Sequence, residues 1–488
     1  MRASAADWLN GRIHVSWLIA WLCAGVLVGI AWAAFAASAW SPAALTVISL
    51  TLLIVGFARG SRWAIILMLI AGVCLGLARG SAYHAELGGF TAYYGTQVTL
   101  SGTVFEDTTT GPQGDQRMRL ANVVIGNQRL PGQVWVSTPS ALDIKRGDSV
   151  TVSGLLSEGF GNLPASMFRA RLVTAERPLH GDPAREFRDW FADKVRLAIP
   201  EPQASLGIGY LVGQRSTLPE TLDNELRLLG LTHVVVASGY NLTILVRFTR
   251  RAFARYSKYL ALASALTLIA AFVLITGFSP SMSRAALVAV LSLLAWYFGR
   301  STHPLVLLPF AAAITGLLNP AFVWGDIGWY LSFTAFAGIM ILAPLLKYYF
   351  WGPDAKLSSP MQILIETMSA QLATLPIIVF VFAQYSPLAP LANLLVLPLV
   401  PLAMLLTFFA GIAGAALPFI ASIVGFPAFL VLGYMTTVTS RLAALPWASG
   451  EWSFGVTTFI FFYAALIACC FYLWYKTRCT FRQDNLIL

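Results

Sequence analysis

The sequence predicts a polytopic α-helical membrane protein of about twelve transmembrane helices, with one small all-β, OB-like domain inserted outside the membrane. Three observations predict this. Of 488 residues, 57% are hydrophobic and only 11% are charged, against roughly a quarter charged in soluble domains. Apolar runs long enough to cross a hydrocarbon core of about 30 Å recur along most of the chain, and in lipid such a run satisfies its backbone only as a helix. Between residues 96 and 178 the composition turns to short alternating segments punctuated by Gly, Asn, Asp and Pro.

The first three spans are expected at 16–37, 42–57 and 63–78, making residues 1–80 a three-helix anchor. The first run ends in "AAFAASAW", which offers small-residue sites of the kind signal peptidase cuts. Its apolar core is longer than an ordinary signal peptide's and two spans follow closely, so it reads as a retained anchor. Arg2 and Arg12 precede it, and Arg59 and Arg62 lie between the second and third spans. The positive-inside rule then puts the N-terminus in the cytoplasm and the end of the third span outside.

In residues 96–178, "TQVTLSGTVFED", "QRMRLANVVIG", "PGQVWVSTP", "DSVTVSGLLSE" and "FRARLVTAE" read as five short strands of a closed barrel. Basic and acidic residues nearly balance there and aromatics are few (Phe105, Trp135, Phe160, Phe168), so a structural or docking role is the simpler reading and a single-strand binding role the other. Residues 183–230 are a mixed-charge amphipathic connector that lies along the membrane interface or packs on the bundle. A polytopic core follows at 231–476, with spans expected near 232–246, 260–277, 284–298, 304–318, 327–346, 365–382, 391–412, 420–439 and 455–475, and a short cytoplasmic tail at 477–488. The net charge of +10 is read mainly as topology. Arg247, Arg250, Arg251, Arg255, Lys258, Arg300, Lys347, Lys356, Lys476, Arg478 and Arg482 all fall inside when the β domain is outside, and Arg441 alone clearly dissents. The five cysteines suggest neither a disulfide framework nor a CxxC knuckle.

Polar residues inside spans are costly and so face the bundle interior or a hydrated path. In "GLTHVVVASGYNLTIL", Gly230 to Leu245, the candidates are His233, Ser238, Gly239 and Asn241. His233 reads equally as a packing histidine, and Gly239 either lets helices approach closely or breaks one. "ITGFSPSMSRAALVAVL" puts Ser279, Ser281 and Arg284 at a helix start, where free N–H groups and a guanidinium suit a phosphate; a capped helix with a snorkelling arginine is the plainer alternative. Asp326 stands at the mouth of the span in "WGDIGWYLSF", with pairing to Arg284, helix capping and cation binding all open to it. The prolines of "AQYSPLAPLANLLVLPLVPL" predict a broken or re-entrant helix holding Asn393. Glu366 is a weaker interfacial candidate. Phosphate-loop, HExxH, HxHxDH and GxSxG motifs are all missing from the sequence, so no catalytic residue, metal or cofactor is expected and the chain reads as no enzyme.

Taken together, "GLTHVVVASGYNL", "TGFSPSMSRAAL", "DIGWYLSF" and "PLAPLANLLVLPLV" resemble the ComEC-type family of DNA-internalisation proteins, over roughly Leu206 to Val400. The resemblance implies a channel in the inner membrane that passes single-stranded DNA to the cytoplasm during natural transformation. It also implies membrane lipid, DNA-receptor proteins at the outer face, a separate ATP-driven motor and a separate nuclease as partners. The nuclease is inferred because many members carry a C-terminal metallo-β-lactamase-like domain, whereas this sequence stops soon after its last span. His233, Ser238, Gly239, Ser279, Arg284, Asp326, Ser332 and Asn393 match motif positions. Asn241 stands where a second histidine is common, and Tyr330 where glutamine is common, which puts a two-histidine metal role in doubt. A transporter or flippase for another anionic substrate, such as a lipid or glycan intermediate, is the alternative function. An intramembrane hydrolase on Ser238 and His233 is a third, for which no elbow motif supplies a base or oxyanion site.

Overall fold

The computed structural model describes residues 14–35, 41–59, 62–111, 114–139, 143–178, 181–235, 239–277, 279–300, 303–353 and 355–479. The chain divides into two compact units, residues 1–183 with 305–329, and residues 184–304 with 330–488.

The first unit opens with α1 (Val15–Ala33), α2 (Pro42–Arg59) and α3 (Ala64–Leu87). Apart from Arg59 at the end of α2 and Arg79, His84 and Glu86 in the last turns of α3, these helices are apolar all round, as lipid-embedded helices are. Small residues decide how they pack. Gly25 and Gly29 of α1 meet Gly72 and Gly76 of α3, two G-x-x-x-G pairs face to face. A Cβ built at Gly72 would lie 2.0 Å from the Leu22 carbonyl oxygen, and one at Gly25 2.2 Å from that of Leu69. The bare backbones therefore touch, which any side chain would prevent.

The β domain follows: β1 (Gln97–Val104), β2 (Thr109–Thr110), β3 (Gln116–Ile125), β4 (Gln128–Arg129), β5 (Val134–Thr138), β6 (Ser149–Leu155), β7 (Ser157–Glu158), β8 (Ala165–Met167) and β9 (Arg171–Glu176). The five longer strands lie on the five segments read as strands. They form one sheet in the order β7-β8-β5-β3-β1-β6-β9, antiparallel except for the β5–β8 pair. Alternation sets the buried face: Leu100 and Val104 on β1, Val150 and Val152 on β6, Val134 and Val136 on β5. On β3 the buried set shifts from Met118 and Leu120 to Val123 and Ile125, because a bulge opposite Ser101/Thr103 inserts a residue there. Asn122 sits at this bulge with φ 54°, a left-handed conformation that asparagine tolerates.

The same unit includes the hairpin of helices Pro304–Leu318 and Ala321–Gly325. The Trp324 indole donates to the Ile30 carbonyl at 2.8 Å, and Arg79 Nε to the Leu317 carbonyl at 3.0 Å. The far end of the hairpin reaches the β domain: a Cβ at Gly325 would lie 2.8 Å from the Gly161 carbonyl oxygen.

The second unit contains α4 (Pro183–Ala198), α5 (Gln203–Val212), α6 (Gly239–Phe253), α7 (Lys258–Thr276), α8 (Pro280–Tyr297), α9 from Tyr330 on (the helix is Ile327–Ala337, its first three residues belonging to the first unit, and it continues through a π turn to a further helix at Ala343–Trp351), α10 (Ser359–Phe382), α11 (Ala389–Val396), α12 (Val400–Ala416), α13 (Ala421–Ala443) and α14 (Val456–Thr477). The amphipathic α4 packs on the bundle through its apolar stripe. Phe191 fills the space over Gly411, and the Lys194 and Ala198 carbonyls come against Gly414 and Gly425. Residues 204–212 of α5 are all buried, at the centre of an apolar core shared with Val396, Val400, Met404, Leu432 and Met435. This part of the expected connector is thus interior.

Among the described residues, nine helices are long and apolar enough to cross a membrane, and two shorter apolar helices lie at Ser281–Tyr297 and Pro304–Leu318. The expected span 232–246 has a different form. It contains the short helix Thr232–Val235 and then α6, whose second half carries Arg247, Arg250 and Arg251. The helix thus continues past the expected end at 246 into residues read as an inner basic loop, and those charges make α6 amphipathic. The proline-rich segment is a broken helix. The α11 helix passes through a 3-10 turn at Leu397–Leu399 into α12, since Pro398 and Pro401 each lack the N–H that would continue the ladder.

Candidate functional site

Two helices of the second unit build the site. Ser279 caps α8: its hydroxyl accepts from the Met282 N–H at 3.2 Å, and Pro280 occupies the first turn, where a missing N–H costs nothing. One turn on, Ser281 and Arg284 lie three apart on one helix face. Both reach Ser332 on α9. Arg284 Nε donates to Ser332 Oγ at 2.6 Å, and the Ser281 and Ser332 hydroxyls are 3.4 Å apart. Phe333 and Phe336, from the same turn of α9, place their rings 5.8 and 5.3 Å from the guanidinium carbon. Arg284 is half-buried, and among the described residues it has no carboxylate partner. A guanidinium held by one hydroxyl and two aromatic rings keeps most of its five N–H donors for something else.

Gly239, the first residue of α6, lies against this group. A Cβ there would be 3.1 Å from Ala285 Cβ and 3.5 Å from Arg284 Nη2, so glycine is what lets α6 approach α8. One residue later the Tyr240 hydroxyl donates to the Leu397 carbonyl at 3.3 Å, in the broken segment between α11 and α12.

Asn241 is fully buried. Its amide donates to the Tyr210 carbonyl at 3.0 Å and the Val234 carbonyl at 3.1 Å, tying α5, the Thr232–Val235 helix and α6 together. His233 is exposed and turns back on its own chain, with Nδ1 2.7 Å from the Gly230 carbonyl oxygen. Ser238 lies outside the described residues. Asn393, on α11, is buried, and its Oδ1 has no hydrogen-bond partner among the described residues. Glu366 bonds Gln362 on its own helix at 2.9 Å.

In the first unit, Asp326 caps the helix that follows it. Its Oδ1 accepts from the Trp329 N–H at 2.7 Å and its Oδ2 from the Asn162 side chain at 2.7 Å. Of the three roles open to Asp326, capping is the one its contacts fill, together with a bond to the β domain. Burial pushes its carboxyl above the ordinary range, opposed by the Trp329 N–H and the Arg119 charge. The Trp329 indole completes the corner by donating to Thr315 Oγ1 at 3.0 Å.

The structure therefore brings Gly239, Ser281, Arg284 and Ser332 together around one cation, with Ser279 capping the helix that carries Ser281 and Arg284. It places Asn241 in a buried tie, Asp326 at a helix cap and the His233 ring against the carbonyl of Gly230. Sequence reasoning missed Phe333, Phe336 and Tyr240, although Phe333 and Phe336 lie one and four residues past Ser332 and so were findable by helical spacing. Asn162 had no signal, being one polar loop residue among many. Among the described residues, no group of three or more His, Cys, Asp or Glu could hold a metal ion.

Residues 210–477, more than half of the chain, match the Competence protein family. The chain belongs to this family. The match begins inside α5 and runs to the end of α14, well beyond the Leu206–Val400 stretch that carries the motifs. It includes the whole Arg284 group and leaves the β domain outside. No curated protein and no solved structure matches the chain. As a competence protein, the chain is a membrane protein of a family concerned with DNA uptake.

Proposed function

We propose that this competence protein is a channel that passes single-stranded DNA across the inner membrane to the cytoplasm. The observation that carries the reading is Arg284: a guanidinium on an apolar helix, oriented by Ser332, set between two phenylalanine rings and without a carboxylate partner among the described residues. A cation in such a place is costly unless it meets water or an anion. A DNA strand supplies a row of phosphates, and a passing strand needs contacts that are weak and sensitive to salt so that it moves on. The family match supports DNA as the anion.

In this reading both termini are cytoplasmic, as the loop charges support, and the β domain is an extracytoplasmic OB-type barrel, supported by its five principal strands, its bulges and the parallel β5–β8 pair. Asn393 and the carbonyls of the broken α11–α12 segment line the path. Strand separation, degradation of the other strand and the driving force come from partner proteins. The test compares cells with and without the protein for entry of labelled DNA, scoring DNA bound at the outer face separately. Loss of entry with outer binding intact supports the channel. Unchanged entry, with an altered distribution of a lipid or glycan intermediate between leaflets, would replace it by a transporter of another anionic substrate.

A further inference from the structure

We infer that the basic end of α6 and the turn after it form a docking surface for single-stranded nucleic acid, at the mouth by which the strand leaves; this rests on the channel reading and extends it. Arg247, Arg250, Arg251, Arg255 and Lys258 fall within one short stretch, and residues 239–258 contain no Asp or Glu. Among the described residues none of the five forms an ion pair. The cations face one another instead: burial and then the charges of Arg247 and Arg251 push the Arg250 guanidinium down. Five like charges across the end of α6, the turn and the first residue of α7, with no ion pair among the described residues, suit an anionic partner carrying several charges.

Aromatic groups accompany the charges. Phe248, Tyr256 and Tyr259 are 62%, 69% and 71% exposed among these cations. Arg250 lies over the Trp296 ring at 5.2 Å and Arg255 over the Tyr256 ring at 5.0 Å. Alternating cations and flat exposed rings suit a strand that offers phosphates and unstacked bases; rings beside charges at a span end also suit a lipid headgroup layer, and the vesicle arm of the test below separates the two. Position adds to this. The α6 helix begins at Gly239, beside Arg284, and ends at Phe253, so one rigid element about 20 Å long joins the internal cation to the basic end.

The test uses the full-length protein in nanodiscs of zwitterionic lipid and a fluorescent oligothymidine titrated at several salt concentrations. Wild type binds, with affinity falling as salt rises. The variant carrying R247Q, R250Q, R251Q, R255Q and K258Q loses affinity by about tenfold or more, and its salt dependence flattens by about 0.7 in log–log slope for each phosphate contact removed. The Y256A, Y259A variant keeps the charges and the slope and loses affinity by about fivefold or more, as expected for lost stacking. Unchanged oligothymidine affinity in the five-charge variant overturns the inference, as does a loss confined to binding of phosphatidylglycerol vesicles, which assigns the surface to lipid. If Arg284→Ala blocks DNA entry in cells while the five-charge variant binds normally, the channel stands and the docking surface falls. If entry is indifferent to deletion of the protein, the channel falls while the binding result stands alone.

Discussion

Arg284 Nε and Ser332 Oγ are 2.6 Å apart, a charge-assisted hydrogen bond between α8 and α9 that fixes where the guanidinium points. A hydrogen bond to a charged group contributes about 1.5–3 kcal/mol. Ser332→Ala is therefore expected to lower DNA entry by about tenfold at equal membrane abundance, with Ser332→Thr close to wild type. Equal entry in both variants would mean that the bond does not set the arginine's aim.

Asn241 serves two carbonyls with one amide, those of Tyr210 and Val234. Asn241→Ala leaves both without this donor in a buried place, at a cost of about 1–3 kcal/mol. A neutral histidine has one ring N–H, so Asn241→His serves only one of them. The expected order of thermal stability in detergent is wild type, then Asn241→His, then Asn241→Ala; a histidine variant as stable as wild type would contradict it.

The contact of Gly25 and Gly29 with Gly72 and Gly76 leaves no room for a side chain. Gly72→Leu must separate α1 from α3 and should lower stability by at least about 1–3 kcal/mol, the ordinary cost of overpacking. Gly88→Ala, where a Cβ meets nothing within 4 Å, is the matched control. Thermal unfolding of the purified proteins measures the difference, and equal midpoints would refute the packing.

Asp326 holds the start of α9 and the Asn162 side chain at once. Removing a helix cap costs about 0.5–2 kcal/mol. Asp326→Ala should speed hydrogen exchange at the Trp329 amide and in the loop around Asn162 together, while Asn162→Ala should speed only the loop. Exchange unchanged at Trp329 in the aspartate variant would show that the cap is idle.

Much of this architecture was legible because membranes and sheets impose simple periodicities. Long apolar runs gave most of the spans, and period-two alternation gave β1, β3, β5, β6 and β9. The region around Val246 was harder, since a half-apolar helix ending in arginines resembles a span and its basic flank. The α1–α3 contact was readable and went unread: the G-x-x-x-G spacings at 25–29 and 72–76 are in the sequence. In the site, the helix-start reading of Ser279 and Arg284 needed only local rules. The meeting of Arg284 with Ser332 joins residues 48 apart, and no local spacing encodes that. The buried tie of Asn241 to Tyr210 is of the same kind, with its partner 31 residues away.

The most direct measurement is entry of labelled DNA into the cytoplasm of cells making wild-type protein, Arg284→Lys or Arg284→Ala at equal membrane abundance, with DNA at the outer face scored separately. Expected are unchanged DNA outside, partial entry with lysine, which keeps the charge and loses the planar fork, and entry lowered by about tenfold or more with alanine, the loss expected for a charged contact. Wild-type entry in Arg284→Ala would contradict the proposed role of Arg284.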